Sequence, residues 1–238
     1  MTRLGLVVPS SNTTAEPEFR AALPPDATIH AARMPLEDVT ADELDAMADG
    51  AERAAALLSH ASVDGVAYAC TTGSLLHGSG FDSRLESRLS EAAGAPAVAT
   101  ALSVVRALHA LDVERVAVAT PYAADLDELE REYLADNGFE VVALDGRGLV
   151  ENVAIGALTP DEAERQGRSV LADAPDADAL FVSCTNYRSM PALASLEREF
   201  GVPVVSSNAA TVWDLCHRVG FEPNLDVRLA DVAPANGD

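Results

Sequence analysis

Asp64-Gly-Val-Ala-Tyr-Ala-Cys-Thr71 returns in the second half of the chain as Asp178-Ala-Leu-Phe-Val-Ser-Cys-Thr185. Each is a short apolar run that opens on Asp and closes on Cys-Thr. Such a run, too short for a helix and free of polar alternation, reads as a strand buried on both faces. A second pair follows the same spacing: Gly94-Ala-Pro-Ala-Val-Ala-Thr100 and Gly201-Val-Pro-Val-Val-Ser-Ser207. Each half therefore contains strand, Cys-Thr, helix, Gly-x-Pro, strand. The period, about 110 residues, is too long for a solenoid repeat and marks a duplicated domain.

Outward from these phrases, strand-like runs alternate with helix-like ones. The strands are expected at Leu4–Val8, Thr28–Arg33, Gly65–Ala69, Ala97–Ala99, Arg115–Ala119, Glu140–Leu144, Ala179–Ser183 and Val202–Val205. The helices between them are expected near 14–22, 41–60, 83–93, 102–111, 124–137, 160–172, 191–200 and 209–219. Two starts carry the capping-box spacing, Thr40 with Glu43 and Thr159 with Glu162, the latter with Pro160 at the first helical position. Strict alternation predicts an α/β protein of two similar, doubly wound parallel-sheet half-domains related by a pseudo-twofold axis, with the site in the cleft between them. The expected halves are 1–100 plus 208–238, the last helix returning to the first half, and 101–207.

Composition narrows the chemistry. The 238 residues are 48% hydrophobic but only 5% aromatic, so Ala, Val and Leu build the core. The net charge is -22, and all 16 cations are Arg. Without lysine there is no Schiff-base amine, pyridoxal-phosphate anchor or P-loop lysine. Nucleic acid is not an expected partner, because phosphate neutralisation needs a basic face. Acid spread along the whole chain suggests a protein of a high-salt cytoplasm, where repulsion is screened. No apolar run is long enough to span a membrane, and no basic leader precedes the first strand, so a cytoplasmic location is expected. No metal-ligand spacing and no dinucleotide fingerprint occur, so neither a metal nor an organic cofactor is expected.

The polar segments fall where strands end: Pro9-Ser-Ser-Asn-Thr-Thr14, Cys70-Thr-Thr-Gly-Ser74, Thr120-Pro-Tyr122, Gly148-Leu-Val-Glu-Asn152, Cys184-Thr-Asn186 and Ser206-Ser-Asn208. Small hydroxyl and amide residues at helix starts can hold a carboxylate without lysine. The three cysteines divide. Cys216 lies inside a helical pattern and reads as a small core residue. Cys70 and Cys184 end equivalent strands, where a pseudo-twofold would turn both thiols into one cleft, and a helix N-terminus would lower their pKa. His77, Arg33 and Arg188 are secondary candidates for lining the site or binding a dianion.

These features resemble the aspartate/glutamate racemase superfamily, and within it the maleate cis-trans isomerase branch. The resemblance runs to about Gly220 and is most specific at Val8-Pro-Ser-Ser-Asn-Thr-Thr14. It implies that Cys70 is the nucleophile and Cys184 the proton donor. It also implies that Asn12, Tyr122 and Asn152 contact substrate carboxylates, and that Thr71, Thr72, Thr185 and Asn186 offer further donors. The chain departs from the branch at Thr71-Thr-Gly-Ser74, where maleate isomerases carry an apolar stretch, and there is similar to ectoine-utilisation proteins. Arylmalonate decarboxylases keep the second cysteine but have Gly where Cys70 stands.

The expected activity is cofactor-independent isomerisation of maleate or a closely related small dicarboxylate by a homo-oligomer, a dimer or tetramer. The alternatives are a two-cysteine amino-acid or hydroxy-acid racemase or epimerase, a decarboxylase, and a non-catalytic carboxylate binder.

Overall fold

The computed structural model describes residues 1–78 and 80–234. Its first half runs β1 (Thr2–Pro9), α1 (Ala15–Ala21), β2 (Ala27–Met34), α2 (Ala41–Ser59), β3 (Gly65–Tyr68), α3 (Thr72–Leu75), α4 (Phe81–Ala93) and β4 (Ala97–Ala99). After α5 (Thr100–Ala110) come β5 (Arg115–Thr120), α6 (Ala124–Asp136), β6 (Glu140–Gly146), α7 (Asn152–Gly156), α8 (Pro160–Asp173), β7 (Ala179–Val182), α9 (Met190–Phe200), β8 (Val204–Ser206) and α10 (Ser207–Val219). All eight expected strands and all eight expected long helices are present. The short α3 and α7 were not expected, because four or five residues are too few to show a helical period.

Both sheets are parallel and share one order, β2-β1-β3-β4 and β6-β5-β7-β8. The duplication reaches single hydrogen bonds. Asp64 and Asp178 each give their N–H to the neighbouring strand, to the carbonyls of Arg3 and Arg115, both at 2.7 Å. Each returns a carboxylate oxygen to the N–H of the same residue, at 2.8 and 2.7 Å. The repeated Asp is thus a strand starter. The inner strands β3 and β7 are buried at every position, whereas the edge strand β6 is half-exposed. That is why the inner strands read as unbroken apolar runs.

One hydrophobic cluster runs through both halves, from Leu44 and Val66 to Leu180 and Leu196. α10 is buried from Ser207 to Cys216 and packs on α5, β3 and α1, with Trp213 fully inside. Among the described residues no helix is long and apolar enough to cross a membrane.

One capping expectation needs correction. Thr159 and Glu162 form the predicted box, but Thr40 makes no side-chain cap bond. The Glu43 carboxylate instead accepts the N–H groups of Glu37 and Asp38 at 2.8 and 2.9 Å. Those donors belong to the segment before the helix, and they draw the side chain away from the cap.

In each sheet the order reverses beside the first strand, so crevices open at the carboxyl ends of β1 and β3 and of β5 and β7. These ends carry Asn12, Cys70, Tyr122 and Cys184.

Candidate active site

All nine residues named from the sequence meet in one place. Asn12, Cys70, Thr71, Thr72, Tyr122, Asn152, Cys184, Thr185 and Asn186 line one narrow cleft, together with Pro9, Leu36 and Val39. The apolar pair comes from the segment between β2 and α2. That segment is tied to the second half by the Val39 N–H on the Val150 carbonyl (2.9 Å) and by an Asp38–Glu151 bridge. The two thiols are 4% and 6% exposed, so the cleft is closed.

The loops are locked together by amides. Asn12 Oδ1 accepts the N–H groups of Thr14 and Ala15, both at 2.9 Å, while its Nδ2 donates across the cleft to Thr185 Oγ1 at 3.1 Å. From the other side, Asn186 Oδ1 accepts the Thr13 N–H at 2.9 Å, and its Nδ2 donates to the carbonyl and side-chain oxygens of Asn152 at 2.7 and 3.0 Å. Asn152 in turn donates to Ser11 Oγ at 2.7 Å. Much of the predicted donor set therefore also holds the two halves in register.

The two cysteines sit differently. Cys184 has a φ of 88°, unusual for a residue with a side chain. Its N–H donates to Ser207 Oγ at 3.0 Å, and its sulfur accepts the Asn186 N–H at 3.4 Å. Ser207 Oγ also accepts the Thr71 hydroxyl at 2.9 Å, so one hydroxyl steadies both strand ends. Cys70 has no such strain, and its sulfur lies 3.7 Å from Thr72 Oγ1.

The expectation of lowered thiol pKa values is wrong. Burial pushes Cys70 up and Cys184 to about 12, although the Tyr122 hydroxyl and the Asn186 N–H pull the latter back. A one-turn helix is too short to outweigh desolvation in a cleft with no cation.

The secondary candidates lie elsewhere. His77 stacks on Phe81, with ring centroids 4.2 Å apart, and is not part of the cleft lining. Arg33 pairs with Glu16 and donates to the carbonyls of Ser10 and Asn12 at 3.0 and 2.9 Å, bracing the loop from behind. Arg188 lies on a surface groove beside Pro17 and Pro191. Cys216 is a fully buried core residue, as expected.

The sequence reading missed two buried acids behind the site. Glu130 accepts the Ser183 hydroxyl at 2.6 Å, and burial raises it to about 8. Glu18 accepts Asn208 Nδ2 at 2.6 Å and the Met190 N–H at 3.0 Å, and burial raises it to about 7. A signal existed for Glu130: it shares the helical stripe of Leu126, Tyr133 and Leu134, all buried.

The chain is similar along nearly its whole length to known proteins. The arylmalonate decarboxylase family model matches residues 4–228. A maleate isomerase of Pseudomonas putida strain KT2440 is 34% identical over 234 residues, 93% of each chain. The structure of maleate isomerase Iso from Pseudomonas putida S16 with maleate, an alanine-for-cysteine variant, superposes with a TM-score of 0.92 at 29% identity over 98% of both chains. A cysteine-to-serine variant of the Nocardia farcinica maleate cis-trans isomerase, with a covalently bound succinylcysteine intermediate, gives 0.90 at 30% identity, covering 96% of this chain and 98% of that one. Sharing sequence along nearly its whole length and one fold with these proteins, the chain belongs to the arylmalonate decarboxylase family and, within it, to the maleate isomerase branch.

Proposed function

We propose that this enzyme converts maleate, or a closely related small dicarboxylate, to its trans isomer, with Cys70 as nucleophile and Cys184 as proton donor. The observation that carries the reading is the meeting of two thiols, from equivalent strand ends, in one closed cleft lined by neutral hydrogen-bond donors. A C=C bond cannot rotate until its π-bond is broken. Cys70 thiolate adds to one alkene carbon while Cys184 gives its proton to the other. The resulting succinyl thioether has a single bond and turns. Cys184 thiolate then removes a proton from the carbon that received one, the C–S bond breaks, and Cys70 leaves as thiolate. Atoms and charge balance with no metal, redox partner or organic cofactor.

Charge develops on the carboxylate beside the carbon being protonated, so fixed donors around it lower the barrier. Asn12, Tyr122, Asn152, Thr71, Thr72, Thr185 and Asn186 are the residues we assign to the two carboxylates. Leu36 and Val39 give the cleft an apolar wall. The succinylcysteine captured in the Nocardia farcinica enzyme supports the covalent route.

The runner-up is a two-base racemase, in which the thiols exchange roles from opposite faces. Their surroundings favour unequal roles: only Cys184 is held at a left-handed φ. We further propose a cytoplasmic, salt-adapted homo-oligomer with half-domains 1–100 plus 208–238 and 101–207. Proton NMR of the purified protein with maleate, and separately with D- and L-amino acids, tests the reading. Fumarate formation is expected; deuterium entry at an α-carbon with no action on maleate would select the racemase.

A further inference from the structure

A thiol must be ionised to add to an alkene, yet the cleft offers Cys70 nothing positive. Among the described residues no Arg or His lines it, and the chain has no Lys. Burial opposes the thiolate further. The backbone N–H groups of Thr72 and Gly73 and the Thr72 hydroxyl all point to the sulfur. A fourth donor stands on the strand itself.

Tyr68 ends β3, two residues before Cys70, and so shares its face of the sheet. Its side chain is fully buried, and its hydroxyl has no hydrogen-bond partner, sulfur included, while Cys70 is a neutral thiol. A buried hydroxyl left unpaired is costly and calls for a reason. The Cys70 sulfur lies on the same side of the sheet, and both groups crowd the space over the Gly73 Cα. The position of that hydroxyl explains residue 73. A Cβ on Gly73 would lie 2.6 Å from Tyr68 Oη and 3.5 Å from Cys70 Sγ, so any side chain there displaces the phenol from the thiol.

We infer that Tyr68 is a catalytic residue whose hydroxyl donates the hydrogen bond that stabilises the Cys70 thiolate, and that residue 73 is glycine to leave that hydroxyl its place. The inference rests on Cys70 being the nucleophile. It requires Tyr68 to keep its proton, and burial, with Cys70 and Asp82 nearby, holds its pKa well above the ordinary phenol range. The titratable groups around the pair are Cys184, across the cleft from Cys70, and Asp82, beyond Tyr68; Asp82 is itself engaged by Tyr133 at 2.8 Å.

The test is Tyr68→Phe, which removes one oxygen and keeps the ring. The rate of Cys70 alkylation by iodoacetamide is followed against pH by peptide mass spectrometry, with Cys184 read in the same digest. The Cys70 midpoint should rise by about one pH unit, and maleate turnover at pH 7 should fall about tenfold, as one unit implies. An unmoved midpoint in folded Tyr68→Phe overturns the assignment. If that variant does not fold, Gly73→Ala decides: its Cβ displaces the hydroxyl, so the midpoint must again rise, and an unmoved one overturns the inference. A shifted midpoint in a chain whose wild type does not act on maleate would keep Tyr68 and remove the maleate reading.

Discussion

At the scale of single residues, the site depends on Ser207 as much as on the cysteines. Its oxygen accepts the Cys184 N–H and the Thr71 hydroxyl. A non-glycine residue at positive φ costs on the order of 1–3 kcal/mol and persists only where its surroundings hold it. Ser207→Ala should cost about 1 kcal/mol of stability and lower kcat more than KM, since it loosens the proton donor and leaves most carboxylate contacts alone. Equal losses in kcat and kcat/KM, measured beside a denaturant midpoint, would support this; unchanged kcat would contradict it. Ser207 was visible in the sequence as the last residue of the repeated Gly-x-Pro block, but its role was not, because a hydroxyl's partners depend on the neighbouring strand. The thiol pKa values were misread for a related reason. Sequence shows a helix start after each cysteine and does not show how completely the cleft excludes water.

At the scale of elements, α6 carries a buried carboxyl into the core behind Cys184. In the unfolded chain Glu130 ionises near its ordinary value of 4.5; folded, it keeps its proton up to about 8. Between those values the folded state binds more protons than the unfolded one. Its stabilising contribution is therefore full below the lower value and is lost as pH rises through the upper one. The loss is on the order of a few kcal/mol. Glu130→Gln mimics the protonated acid, so its stability should fall less between pH 5 and pH 8 than that of the wild type, by urea titration at each pH. Equal slopes would contradict the burial argument. Glu18, raised to about 7, acts in the same direction and keeps a residual slope in the variant. The long elements were legible because unbroken apolar runs, the 3.6-residue period and the Asp-to-Cys phrase agree. α3 and α7 were not, being a single turn each, and Thr40 failed as a cap because Glu43 serves the N–H groups of residues 37–38 instead.

At the scale of the molecule, a charge of -22 must be accommodated on the surface of one chain. Repulsion between exposed carboxylates acts over about 10 Å at 0.1 M salt and about 3 Å at 1 M. Salt also screens surface pairs such as Arg168 with Glu164 and Glu199, but exposed pairs contribute little. The half-buried Arg106, bonded to Glu86 and to fully buried Asp214, is screened much less. The thermal midpoint should therefore rise between about 0.1 M and 2 M KCl, past the range where simple screening saturates. A midpoint equal or higher at low salt would contradict a high-salt origin. The pseudo-symmetric plan of two parallel sheets followed from the repeat, whereas the apolar wall that Leu36 and Val39 give the cleft did not. Those two apolar residues in a loop carry no sequence mark of what they line.

The central claim is a covalent bond at Cys70, and Cys184→Ser tests it most directly. Serine keeps a hydroxyl at 184 through which the neighbouring carbon can take a proton from solvent, but a neutral hydroxyl is too weak a base to remove it again, so addition proceeds and elimination stalls. After incubation with maleate, mass spectrometry of the digested variant should show one maleic acid equivalent added to the peptide containing Cys70, and none once Cys70 is also changed to Ser. An unmodified Cys70 peptide, together with maleate turnover by Cys70→Ser at the wild-type rate, would contradict the account.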